Sequence, residues 1–257
     1  MASQVITFYD ISPNPGLEKA RSFNTARVRF ALNYKGLAFK TVWARYGDVE
    51  RVCKSIGASP TGTKPNGDPL YTFPVIHDPS TDKLIADGPV IVKYLDDQYP
   101  DTPKVIPPGT DALIAAFINA HLISIAPIHA FTVPIFSATF NGEEAVKFRR
   151  AREEDFGKKV EDLVPSDPVG RAAEWAKVKA GYDTMDKWLQ KSEGPFIMGD
   201  TISFADGNIA AFLRTFKNIF GEDSQEWKDM RTWNEGRWEN RLHALEKYLV
   251  DDWNGSA

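Results

Sequence analysis

The chain has 257 residues, 42% of them hydrophobic and 26% charged, which is enough apolar material for two modest cores and too much for a disordered polymer. A formal net charge of −4, with no basic cluster beyond Lys147-Phe148-Arg149-Arg150, argues against nucleic acid as a partner. A lone cysteine, Cys53, excludes an intrachain disulfide, a CxxC redox pair and a cysteine-based metal site.

The first ten residues, Met1 to Asp10, carry neither a basic region with an apolar run nor a transit-peptide composition, so a cytoplasmic protein is expected. The most apolar stretch, Ala112 to Phe136, is interrupted by His121, Pro127, His129 and Pro134 and predicts a soluble helix, with no membrane partner.

In chain order, Val5 to Tyr9 predicts a strand and Asp10 to Arg21 a long loop. A helix follows from Asn24 or Thr25, with Val28, Ala31, Leu32 and Lys35 on one face and Gly36 at its end. Phe39 to Trp43 predicts a second strand, parallel to the first across a right-handed βαβ unit. Asp48 to Ile56 predicts a short helix, and Gly57 to Pro69, rich in Gly, Pro, Ser, Thr and Asn, a loop. Tyr71 to His77 predicts a strand entered through a proline, with Lys83 to Ala86 as its hairpin partner. Asp87 to Tyr99 predicts a helix, with Asp87 as N-cap and Pro89 in its first turn. Residues 1–100 thus form a mixed α/β domain and residues 101–109 a proline-rich linker. Every later periodic segment is helical: Asp111 to Phe136, Glu143 to Leu163, Arg171 to Lys191, Phe204 to Phe220 and Gln225 to Leu249. Residues 110–257 therefore make an all-helical domain.

Three local constellations carry candidate chemistry. Ser22 stands just before the first helix, where the macrodipole and unpaired amides favour an anion, and where a hydroxyl can donate to a thiolate. Its bland alternative is a helix cap. Phe73-Pro74 sits at a strand entrance, where a cis bond would turn backbone groups outward to an extended peptide; an ordinary trans proline is the alternative. Asp87-Gly88 opens the third helix and can hold an amino group on the carboxylate and a carboxylate on the amide, against simple capping.

Together, in this order, the three resemble the glutathione transferase family. Ser22-Phe23-Asn24-Thr25-Ala26-Arg27-Val28-Arg29, running to Asn33-Tyr34-Lys35-Gly36-Leu37, is similar to the segment of fungal-specific class A members, the β-etherase-related group with a catalytic serine. Thr72-Phe73-Pro74-Val75 resembles the family's cis-proline loop, and Gly199 to Asp206 its helical capping box, with Ser203 and Asp206 three apart. The resemblance implies a thioredoxin-like domain (βαβαββα) followed by an all-helical C-terminal domain that holds the second substrate.

It implies glutathione as co-substrate, held by Phe73, Pro74, Val75, Asp87 and Gly88, with Lys64 for the glycyl carboxylate. Ser22 would stabilise the thiolate, with Asn24 beside the sulfur, for attack on an apolar or aromatic electrophile. Phe117, His121, Ile125 and Phe131 are the candidates for the wall of the electrophile pocket, with an ordinary core stripe as the bland and commoner alternative, and the resemblance admits a homodimer. A detoxifying conjugation, a β-etherase and a carrier that sequesters wood polyphenols are all compatible with the residues. Ser22 disfavours a reductase, because it cannot form a mixed disulfide.

The chain departs from the family pattern at several points. Gly88 replaces the usual Ser, Phe23 and Ala26 stand in place of Pro and Trp, and the loop from Asp10 to Arg21 is long. Gly207 removes the apolar residue that would complete a staple with Ile202.

Overall fold

The computed structural model describes residues 5–12 and 22–251. The readings on the extreme N-terminus, on most of the Asp10 to Arg21 loop and on the last six residues lie outside them.

The first half is built on β1 (Ile6–Ile11), whose inward positions Ile6, Phe8 and Asp10 are buried while alternate residues are only half-buried. α1 (Phe23–Tyr34) carries the chain across to β2 (Phe39–Ala44), parallel to β1 with Phe8 opposite Thr41. Gly36 follows the helix at φ +67°, the left-handed position expected of it. After α2 (Val49–Ile56), the region from Gly57 to Pro69 is not all loop. β3 (Gly62–Thr63) and β4 (Pro69–Leu70) pair in it around a turn in which Gly67, at φ +87°, donates its N–H to Lys64 O. The composition that signals a loop is that of a short hairpin's turn.

β5 (Val75–Asp78) then pairs antiparallel with β1, and β6 (Lys83–Ala86) with β5, before α3 (Gly88–Gln98) closes the unit. The sheet order is β2-β1-β5-β6.

The second half contains α4 (Asp111–Ile125), α5 (His129–Ser137), α6 (Gly142–Phe156), α7 (Pro168–Leu189), α8 (Phe204–Phe220) and α9 (Gln225–Leu245). The single helix expected from Asp111 to Phe136 is split into α4 and α5 by a 3-10 turn, Ala126–Ile128, in which Pro127 cannot donate to the preceding turn. Residues 111–137 are apolar and long enough to cross a membrane by length and composition alone, but the break lies within them. α6 ends at Gly157, φ +63°, short of Leu163, and residues 160–162 form a separate 3-10 turn. α9 is kinked where Asn234, Glu235 and Gly236 take φ of 53°, 61° and 76°, and its helical geometry stops at Leu245.

The two halves share one apolar core, in which Phe8, Val28 and Phe30 pack with Ile91, Val105, Ile209 and Phe212. Gly207 explains itself here. A Cβ on it would lie 2.1 Å from Cδ1 of Phe30, so the missing staple is exchanged for close approach of α8 to α1. Asp206 is fully buried and accepts from Ser203 N (3.0 Å), Ile197 N (2.9 Å) and Arg241 Nη1 (2.7 Å), a structural hub beyond its capping role. Asp96 does the same for the linker, accepting from Ile106 N (2.8 Å) and from buried Lys35 (2.7 Å). The chain's last described turns come back to α1, where Asn33 donates to Tyr248 O and Val250 O, each at 3.0 Å.

Candidate active site

Ser22 is the N-cap residue of α1, with extended backbone (φ −96°, ψ 118°). Its Oγ accepts from Thr25 N at 3.4 Å, and its carbonyl accepts from Ala26 N at 2.9 Å. The capping role is thus real but weak, since the cap bond is at the long limit. A hydroxyl holds one hydrogen and two lone pairs, so accepting from Thr25 leaves the Ser22 hydrogen free to donate. Phe23 and Asn24 are the first two residues of α1, where backbone amides lack intrahelical acceptors. Asp10 of β1 and Arg29, midway along α1, form a buried pair at 2.7 Å. Burial raises the Asp10 carboxyl while Arg29 pulls it down.

Ser22, Asn24, Lys64 and Phe73 share the wall of one cavity of about 670 Å³ that lies between the sheet domain and α5 and α6. The Phe73-Pro74 bond is cis. Phe73 is on the cavity, whereas Val75 is fully buried at the start of β5, in register with Tyr9 and Ala86. Pro74 and Val75 therefore fix the backbone of Phe73 rather than line the cavity.

Asp87 stands at the start of α3, but its side chain makes no capping bond, contrary to the expected role. Its backbone is at φ 75°, ψ 127°, a conformation costly for a residue with a Cβ and of the kind that gathers at ligand sites. The Arg27 guanidinium lies beside Asp87 and Gly88; burial pushes it below its ordinary pKa and the Asp87 carboxylate raises it again. Asp87 and Gly88 are not on the wall of the large cavity.

Lys64 Nζ is 2.7 Å from Glu50 Oε2, and Glu50 also binds Lys54 at 2.7 Å. Bonds from Lys54 first and Lys64 second hold the Glu50 carboxyl at about 2. Lys64 thus shares the Glu50 carboxylate with Lys54 at the edge of the cavity.

The far wall is not the one expected. His121, Ile125 and Phe131 are buried in the core, and Phe117 packs on Trp188. The wall is made instead by His129, Thr132 and Phe136 of α5 and by Phe148, Arg152 and Phe156 of α6. Tyr46 joins them, its ring 5.7 Å from Phe148, and Glu144 of α6 accepts from Gly47 N at 2.7 Å, closing the cavity's edge. Phe23 bridges the domains, stacked on Phe212 at 4.3 Å and 6.1 Å from His129. Burial, and secondarily Arg152, lowers the His129 pKa. Arg152 Nη2 pairs with Asp155 at 3.0 Å. In sequence these residues show only as another apolar-periodic stretch.

A thioredoxin-like sheet domain followed by an all-helical domain, with a polar helix start facing an aromatic cavity between them, defines the class. Family models agree: residues 18–103 match the glutathione S-transferase N-terminal domain and residues 112–248 the C-terminal domain. The chain belongs to the glutathione S-transferase family, a family of enzymes. It is 46% identical to a glutathione S-transferase of Ceriporiopsis subvermispora solved in complex with glutathione, with a TM-score of 0.89 over 96% of this chain and 98% of that one. It is 36% identical to glutathione transferase GSTFuA2 of Phanerochaete chrysosporium, with a TM-score of 0.88 over 97% of this chain and 100% of that one. A glutathione S-transferase-like protein of Aspergillus flavus, ustS, is 28% identical over 94% of this chain and 90% of its own length.

Proposed function

We propose that the protein conjugates glutathione to an apolar, aromatic electrophile, with Ser22 as the hydrogen-bond donor that stabilises the glutathione thiolate. The observation that carries this reading is the placement of Ser22 at the start of α1, on the wall of a cavity whose other side is aromatic. The thiolate attacks the electrophilic carbon, the leaving group departs with the electron pair of the broken bond, and the thiol proton passes to solvent. Asn24, on the same wall, orients the sulfur, and the backbone of Phe73 takes the cysteinyl unit. Asp87 takes the γ-glutamyl ammonium and Lys64 the glycyl carboxylate. His129, kept toward its neutral form by burial, adds no positive charge to the electrophile's side of the cavity.

Similarity to the Phanerochaete GSTFuA2 supports placement in the fungal-specific class A group. The proposal includes a cytoplasmic location, since reduced glutathione is the thiol pool of the cytosol. It also includes a homodimer, supported by the exposure of Val90 on α3 (53%) and of Leu113 (66%) and Ile123 (76%) on α4.

Calorimetric titration with glutathione tests the site. Saturable heat is expected from the parent, with affinity reduced by Asp87→Ala. No binding at millimolar glutathione, or an Asp87→Ala protein indistinguishable from the parent, would refute it.

A further inference from the structure

The large cavity has two chemically different walls, and the glutathione contacts proposed above use only one of them. On the other, α5 and α6 supply mostly rings, and Arg152 is the one cation among the described residues that these two helices place there. His129 adds none, being held toward its neutral form by burial first and by the Arg152 charge second. The Arg152 side chain lines the cavity and is 35% exposed, so it is open to a molecule bound there. Its Nε is closed off, which leaves the Nη end of the guanidinium as the part that a ligand meets.

Two contacts hold that end in place. The guanidinium carbon lies 5.6 Å from the centroid of the Phe148 ring, and Nη2 pairs with Asp155 Oδ2 at 3.0 Å, three residues further along α6. Asp155 is more than half exposed, so this is a weak surface pair, and the guanidinium keeps donors for a second carboxylate beside it. The planar fork of an arginine matches the two oxygens of a carboxylate, which a point charge does not. The wall also has an order. Phe23 follows Ser22, its ring centroid is 6.1 Å from that of His129, and His129 in turn feels the Arg152 charge. A molecule whose reacting carbon meets the sulfur beside Ser22, and whose ring lies along Phe23 and His129, brings its far end toward Arg152.

We propose that Arg152 selects the electrophile, and that the second substrate is an aromatic acid with its reacting carbon on the ring and its carboxylate on the Arg152 guanidinium. This rests on the glutathione reading above and names the class of molecule within it. The chemical step is the same: the sulfur–carbon bond forms, the leaving group departs with the electron pair of the bond it breaks, and the thiol proton passes to solvent. Arg152 touches the carboxylate and no reacting atom, so its effect falls on the binding of electrophile and conjugate. A neutral ring of the same shape binds less well, because nothing on it meets the guanidinium.

The experiment compares by calorimetry two conjugates that differ in one group, S-(4-carboxy-2-nitrophenyl)glutathione and S-(4-carbamoyl-2-nitrophenyl)glutathione. The parent is expected to bind the carboxylate about three- to thirty-fold more tightly, a range between an exposed ion pair and a charge-assisted hydrogen bond. Arg152→Gln should bind the two conjugates alike. Arg152→Met, which keeps the length of the stem without the charge, serves if the glutamine variant fails to fold, with the same loss of preference expected. A parent that binds glutathione but binds the two conjugates equally, or binds neither, overturns this inference and leaves glutathione binding intact. A preference for the carboxylate that survives in the Arg152 variants overturns it as well. Failure of the parent to bind glutathione or either conjugate overturns both readings.

Discussion

Replacing Ser22 by alanine separates its two roles, because the structure gives them different sizes. As a cap, Ser22 Oγ accepts from Thr25 N at 3.4 Å, so its removal costs less than about 1 kcal/mol of stability. In a two-domain chain of this length that is a fall in melting temperature of about 2–4 °C or less. As a donor to a thiolate, the same hydroxyl makes a charge-assisted bond worth about 1.5–3 kcal/mol. Dividing by about 1.4 kcal/mol per pKa unit, the bound glutathione thiol should rise by about one to two units toward its free value near ~8.5. Turnover at neutral pH should then fall about ten- to a hundred-fold, with glutathione affinity changing less. Ultraviolet titration of the thiolate in the bound complex, steady-state kinetics with an aromatic electrophile, and thermal denaturation give the three numbers. An unchanged thiol pKa and rate beside a lowered melting temperature would make Ser22 a helix cap only, and would move the sulfur contact to Asn24.

Gly207→Ala should destabilise the fold by about 1–3 kcal/mol or more, read by urea denaturation, because its methyl would sit 2.1 Å from the buried ring of Phe30; an unaltered midpoint would show that α1 and α8 can part freely. His121 should make the protein acid-sensitive. It is buried, hydrogen-bonded to Asn208 at 2.9 Å, and lowered by burial to about 3, against about 6.5 in the unfolded chain. The unfolded state therefore takes up a proton that the folded state refuses, so this stability is present above about pH 6.5 and is lost as pH falls toward 3. Near pH 5 the loss is about 2 kcal/mol. Urea denaturation at pH 7 and pH 5 should show that loss shrinking in His121→Gln, and an identical pH dependence in both proteins would refute the assignment.

Local signals in the chain determine most of the architecture and half of the candidate site. Helix starts, glycine stops and the proline-led strand are decided by backbone sterics within a few residues, so Ser22, Gly36 and Phe73-Pro74 are legible where they stand. The same local rules fail where neighbours compete: the apolar pattern runs straight through Pro127, which ends a helix, and the turn residues of β3 and β4 have the composition of plain loop. Asp87 reads as a cap because spacing shows position and not side-chain direction. Tertiary structure alone decides which apolar helix faces line the cavity. α4 and α5 are apolar on several sides, and periodicity marks a face as buried without saying whether it meets core or open space, which is why His121 and Phe131 lie in the core while Phe136 and Phe148 face the cavity. The meaning of Gly207 is likewise hidden in the sequence. It is set by Phe30 of α1, arriving from far away in sequence, and a close approach of that kind leaves no trace in the residues on either side of the glycine.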